Sequence, residues 1–397
     1  MTSGEERARA RLELAACLGL FCTGVYSTAF GPALQILADD FGVSLDRAGF
    51  LITVLFAGSI TASGAVAWRL HRHNPRKVAA AGMVTVAIGA GGLGFAGSWA
   101  GALAAVSLTG IGDGLLVAGV HLVVARSSVN VAHGINRLNL YFAFGAIAGP
   151  LWAGGVLDLE PASRDVVFGG IGLLVLVVAA VLGMTRVPVA DAVRPAVHAS
   201  ALDAVGSGGL AWFMGAVLFL YVGAEFGLGS WVASYADQQF DAGTFTGGVV
   251  TAGYWGALML GRVASGRLFA AGWAPRRVLV LSIGCGLVSS ACIAAANQVF
   301  VLAVVAAFAT GLFFGPIWPA AVSIVSERSA GGAPAAMVTI GNAGGVFFPF
   351  AQGWLLVEAG ATTGIAMTAA LCLGMLALVR LSPGHGAARH RWPGGPV

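Results

Sequence analysis

Apolar runs of about 20 residues, the length that crosses a bilayer as a helix, follow one another along almost the whole of this chain. They cover roughly 12–38, 47–70, 77–97, 100–126, 136–157, 166–185, 209–235, 243–269, 277–296, 299–326, 335–357 and 364–381. The spacing predicts an all-α membrane protein with twelve transmembrane helices. Composition agrees, with 58% hydrophobic and 10% charged residues, where a soluble domain carries about 25% charge. A water-soluble fold has no means of covering that much apolar surface. The first run exceeds the 7–15-residue core of a secretory signal and is expected to remain as a span.

Several function classes drop out at once. Lys77 is the single lysine and Val78 follows it, so the Lys-Ser/Thr step of a P-loop is missing. No ATP site is expected, and any work must draw on an ion gradient, with no cofactor. Cys17, Cys22, Cys285, Cys292 and Cys372 all sit inside apolar runs without metal-ligand spacing, where cysteine acts as a small hydrophobe. Gly92, Gly94 and Gly97 match a dinucleotide fingerprint by letter, but they end a span and follow no strand. The net charge of +4 reflects membrane orientation rather than a nucleic-acid partner.

Orientation follows from the connecting segments. With the N-terminus inside, eighteen Lys and Arg residues fall on the cytoplasmic side, and only Arg47 and Arg164 fall outside. Both termini are therefore expected to be cytoplasmic.

The chain also resembles itself at an offset near 200 residues. Ala62-Ser63-Gly64 precedes Pro75-Arg76-Lys77-Val78, as Ala264-Ser265-Gly266 precedes Pro275-Arg276-Arg277-Val278. Gly145, Pro150 and Gly154 of span 5 match Gly344, Pro349 and Gly353 of span 11, and Gly110 and Gly114 of span 4 match Gly311 and Gly315 of span 10. A six-plus-six repeat is predicted: residues 1–185, a cytoplasmic connector at 186–208, and 209–397. Pro150 and Pro349 are expected to bend their spans or seat them closely, since each removes a helical hydrogen bond.

These motifs resemble the major facilitator superfamily of secondary transporters over nearly the whole chain. The loop after span 2 in that family carries Gly-x-x-x-Asp-Arg-x-Gly-Arg-Lys. Here Gly64 is followed by Trp68-Arg69 and then Arg76-Lys77, with Trp68 where the pattern has its aspartate. Arg69 would belong to that inner gate. The stretch Tyr221 to Trp231, and Asn139 with Phe142, Gly145, Gly149 and Pro150, look like the fucose- and glucose-type proton symporters. Gly145-x-x-x-Gly149-Pro150 with Gly154-Gly155 is also similar to the glycine-proline motif of drug–proton antiporters.

Three strongly polar side chains lie deep in the spans: Asp113, Glu225 and Arg262. Intramembrane carboxylates default to ion or substrate pathways. A carboxylate whose charge its surroundings disfavour can load and release a proton as its access to water alternates. Glu225 and Asp113 are thus candidate coupling residues, the alternatives being a structural hydrogen bond and a cap on a kinked helix. His121 shares the helical face of Gly110, Asp113, Gly114 and Val117 and is a candidate relay or ligand. Arg262 lies about two turns from its span's cytoplasmic end, which favours gating or packing. Candidate substrate contacts are Tyr26, Phe30, His121, Asn139, Tyr141, Tyr254, Trp255, Phe314, Trp318, Asn342 and Gln352. Amides and ring edges suit sugars; broad aromatic faces suit lipophilic drugs.

The reading is a proton-coupled transporter of the inner or plasma membrane, functional as a monomer, with its small-molecule site between two rocking halves. Symport of a small polar solute such as a sugar stands first, and drug or metabolite antiport second. A membrane-embedded enzyme would need a nucleophile–base pair or a metal cluster, and the deep polar residues offer neither. A transport-dead sensor would have no use for Glu225 and Asp113.

Overall fold

The structure, a computed structural model, describes residues 3–68, 74–128, 131–159, 163–184, 209–327 and 333–382. Arg69 and the connector 186–208 lie outside the described residues. Within a bilayer a helix satisfies its own backbone polar groups without help from a neighbour, and among the described residues the chain is built from helices alone. In order these are α1 (Ser3–Phe41), α2 (Leu45–Trp68), α3 (Pro75–Gly94), α4 (Trp99–Ser127), α5 (Val131–Leu157), α6 (Arg164–Met184), α7 (Leu210–Phe240) and α8 (Gly243–Ala270). Then follow α9 (Pro275–Ala294), α10 (Phe300–Phe314), α11 (Ile317–Ser326), α12 (Ala333–Asn342), α13 (Gly344–Glu358) and α14 (Ala361–Leu381).

The fourteen helices make twelve crossings, because α10–α11 and α12–α13 are each one span in two pieces. Ten crossings are long and apolar enough by length and composition. The other two are the glycine-rich α8, which carries Arg262 and Arg267, and the α12–α13 pair, whose pieces have 10 and 15 residues. Span 10, expected as one helix over 299–326, is interrupted at Gly315-Pro316. Pro316 and Pro319 remove two donors that a continuous helix would direct at Leu312 and Gly315. Span 11 is interrupted at Ala343, where the turn tightens: Ala343 N bonds to Ile340 O at 3.2 Å and Val346 N to Ala343 O at 3.1 Å. Pro349 lies beyond that break, inside the continuous α13, as Pro150 sits buried inside an unbroken α5.

Two six-helix repeats are visible as the same backbone contacts made twice. A β-carbon on Gly145 would run into Phe21 O of α1, and one on Gly344 into Phe219 O of α7. Gly110 and Gly114 press α4 onto the carbonyls of Leu55 and Ser59; Gly311 and Gly315 press their span onto those of Tyr254 and Leu258. Arg76 donates to Gly183 O at 2.6 Å, and Arg276 to Val379 O at 2.9 Å. Small residues at such crossings let helices approach closely where lipid supplies no hydrophobic drive between them.

The repeats meet through α1 with α7 and α8, α2 with α13, and α5 with α8. Phe50 lies edge-on to Phe350 at 5.7 Å and Phe56 to Phe226 at 4.7 Å, while Thr53 Oγ1 donates to Val346 O at 2.6 Å. Gly154 abuts Gly248 in the same layer. These contacts seal the end that carries the turns after α1, α5 and α7. Trp231 of α7 is the wedge: its Nε1 donates to Pro349 O at 2.6 Å, and its ring fills the places of β-carbons on Gly353 and on Gly49 of the other repeat.

Gly49→Val is therefore expected to load only the sealed arrangement, with overpacking worth about 1–3 kcal/mol. In a cysteine-free background, maleimide labelling of Phe350→Cys should accelerate several-fold when Gly49→Val is added. An unchanged rate would show that this contact does not hold the seal.

Candidate functional site

Glycine contacts carry the deep charges together. Gly261 of α8 lies against Leu312 O, and Gly315 against the backbone of Leu258 and Arg262. With α8 seated that closely, Arg262 Nη2 reaches Glu225 Oε1 of α7 at 2.7 Å. The Glu225 side chain is 3% exposed and that of Arg262 27%. The Tyr254 hydroxyl donates to the Glu225 carbonyl at 3.0 Å. Tyr221, one turn earlier on the same face of α7, sets its buried hydroxyl beside both charges. A buried pair of this kind keeps two charges in the membrane only because each cancels the other.

The first repeat handles its acid differently. Close packing of α4 on α2 brings Asp113 next to Ser59, whose Oγ donates to Oδ2 at 2.6 Å. Oδ1 accepts from the Tyr26 hydroxyl of α1. The carboxyl group is half-buried, and three helices share it.

The remaining candidates divide by environment. Trp318 is half-buried with its ring 6.4 Å from Tyr221, and Phe314 is fully buried at 5.9 Å from the same ring. Trp255 packs at 5.2 Å from Phe226 and over Gly229. Gln352 is buried, with Nε2 3.4 Å from Thr368 Oγ1 and Oε1 facing Gly227. Asn342 is half-buried at the break between α12 and α13. Asn139 is exposed on α5 and Tyr141 half-buried. His121 Nδ1 lies 2.8 Å from Val117 O on its own helix, so that nitrogen carries the proton and Nε2 is left to act. Phe30 is committed to packing inside its repeat, against Phe168 of α6 at 5.5 Å.

Three residues of this layer escape a reading of single spans. Ser59 looks like any small polar residue in an apolar run. Tyr221 had a usable signal, since it stands one turn from Glu225. Trp231 gains its role only from the glycines opposite. Among the described residues no group of three or more His, Cys, Asp or Glu is placed to hold a metal ion.

Twelve crossings in two repeats, with a carboxyl group inside a span of each repeat, define a membrane transporter. The chain belongs to the Major Facilitator Superfamily, whose sequence profile matches residues 16–349. Among solved structures it is similar to a D-xylose–proton symporter, with 14% identity and a TM-score of 0.78 over 94% of this chain and 98% of that one. A bacterial homolog of the human lysosomal transporter Spinster, inward-facing and unoccupied, superposes at a TM-score of 0.70 with 18% identity, over 96% and 94% of the two chains. The fucose symporter FucP, in its outward conformation, gives 0.65 with 16% identity, over 94% and 98%. "Bypass of stop codon protein 6" of Saccharomyces cerevisiae is 28% identical over 180 residues, 41% of this chain and 35% of that relative. That match therefore spans about a third of the yeast protein's length.

Proposed function

We propose that this protein is a proton-coupled secondary transporter that moves a small polar organic solute, such as a sugar, by alternating access. The observation that carries the reading is Asp113, an intramembrane carboxyl group held by two hydroxyls. Hydroxyls accept as well as donate, so this network is satisfied with the acid charged or neutral. Glu225 shares the coupling by exchanging Arg262 for a proton. Residues 1–185 and 209–397 act as the two rocking halves, with 186–208 as their connector. Both termini are cytoplasmic in an inner or plasma membrane, the working unit is a monomer, and the proton gradient is the sole energy source. In that orientation the sealed end faces outward and the protein stands inward-facing. Drug–proton antiport is the second reading, favoured by the way Gly145, Gly149 and Gly154 seat α5 against α1 and α8.

Proteoliposomes with and without an imposed pH gradient test the coupling: concentrative uptake of a neutral solute driven by protons supports symport. Uptake indifferent to pH would refute coupling, and proton-driven expulsion would favour the second reading. Orientation has its own test. Glu327→Cys and Glu358→Cys, exposed at the ends of α11 and α13, should react with impermeant maleimide from the cytoplasmic and outer sides respectively. Labelling from one side only would overturn the topology.

A further inference from the structure

The turn between α8 and α9 presents a tryptophan at the end of the molecule opposite the seal. Gly272 takes a φ of 80°, and Trp273 N donates back to Leu268 O at 3.0 Å, which closes α8 and turns the chain outward. The Trp273 ring is 38% exposed, and the Arg277 guanidinium lies over it, 4.7 Å from its centre. One residue before, Arg276 donates to Val379 O of α14 at 2.9 Å. That bond sets Arg380, exposed in the last turn of α14, beside the first turn of α9. Arg267, exposed in the last turn of α8, adds charge just before the turn. Among the described residues none of Arg267, Arg277 and Arg380 forms an ion pair.

An apolar stripe leads away from each helix-end arginine. On α9, exposed Leu281 and Val288 follow Arg277 at helical spacing, with Gly284 between them. A β-carbon on Gly284 would meet nothing within 4 Å, so the stripe is notched there. On α14, exposed Ala377 and Leu373 precede Arg380. From Arg277 to Val288 the helix rises roughly 16 Å, about the depth of one leaflet's hydrocarbon. Membrane orientation accounts for the sign of these charges. It does not account for two unpaired arginines gathered at the head of an apolar face with a tryptophan at its edge. Nor does it account for the asymmetry between repeats: Arg76 holds the Gly183 carbonyl as Arg276 holds that of Val379, but the next residue is Met184 rather than an arginine.

We infer that this face of α9 and α14 binds an anionic phospholipid, its phosphate held by Arg277 and Arg380 and an acyl chain lying along the α9 stripe. Guanidinium groups match phosphate oxygens as a two-pronged donor, and a tryptophan suits the headgroup level. The chain supplies apolar contact that a free phosphate lacks. In the orientation proposed above the lipid belongs to the cytoplasmic leaflet. The site is independent of which solute is carried and of how its transport is coupled.

The test is equilibrium binding of radiolabelled phosphatidylglycerol to delipidated full-length protein in a neutral detergent. Phosphatidylglycerol should bind, and more weakly as salt rises. Excess phosphatidylcholine or inorganic phosphate should not displace it. Arg277→Gln and Arg380→Gln should each weaken binding about fivefold, and together about 25-fold, the effect of removing one and two surface charges. Arg277→Lys keeps the charge and should keep most of the affinity, which separates charge from any change in folding. Lys77→Gln, at the corresponding place in the first repeat, should leave binding unaltered. Equal affinity for phosphatidylcholine, displacement by inorganic phosphate, full affinity in the double variant, or an equal loss in Lys77→Gln would each overturn the site.

Discussion

Arg262→Ala is expected to be the most damaging single substitution in the membrane core. It strands Glu225, 3% exposed, without a counter-charge, and breaking a buried pair on one side costs about 3–5 kcal/mol. Folded yield and thermal stability in detergent should fall together. Removing both charges in Arg262→Met with Glu225→Gln should recover most of the loss, since a neutral pair of similar volume avoids the desolvation of two ions. Recovery by the double variant identifies charge as the cause. If the double variant is as unstable as Arg262→Ala, the loss comes from missing side-chain packing along α8 and α10. If Arg262→Ala is as stable as the parent, the pair contributes nothing to holding α7 against α8.

Asp113→Asn is expected to abolish proton-driven accumulation while leaving a well-folded protein. One pH unit is worth about 1.36 kcal/mol per proton, enough for about tenfold accumulation at one proton per solute by the same relation. The variant should equilibrate solute and go no further. Gradient-free exchange should survive, because it needs no net proton movement. Asparagine keeps the shape of the side chain, and its amide still meets Tyr26 and Ser59 once one hydroxyl turns to accept. Glu225→Gln should lose accumulation too, with an added stability cost because Arg262 then lacks its counter-ion. A milder Asp113→Asn effect would mean that Asp113 only orients α4. Full pH-dependent accumulation by folded Asp113→Asn, normalised to protein in the membrane, would defeat its role as proton carrier.

Breaks within spans show where local reasoning loses its grip. Gly315-Pro316 and Pro319 carry an ordinary helix-ending signal, and span 10 does break there. Pro150 and Pro349 carry equal signals, yet the helix continues through each of them, and span 11 gives way earlier, at Ala343, where no proline stands. The neighbours receive the two proline carbonyls: that of Pro150 faces Gly248, and that of Pro349 accepts from Trp231.

Sequence alone determined the twelve crossings, the six-plus-six repeat and the two acids inside the spans. Hydropathy and charge belong to single residues, and a bilayer converts them directly into span positions. Even the twelfth-by-twelfth count survived in α8 and α12–α13, where composition is weakest. Tertiary structure alone decided that Glu225 is paired with Arg262 and Asp113 with two hydroxyls, that Phe30 is spent on packing, and that Trp231 closes one end. Those outcomes depend on how far each helix turns about its axis and how closely it approaches its neighbour. Glycines such as Gly261, Gly315 and Gly49 set that approach, and their meaning lies in the backbone or ring that meets them from another helix.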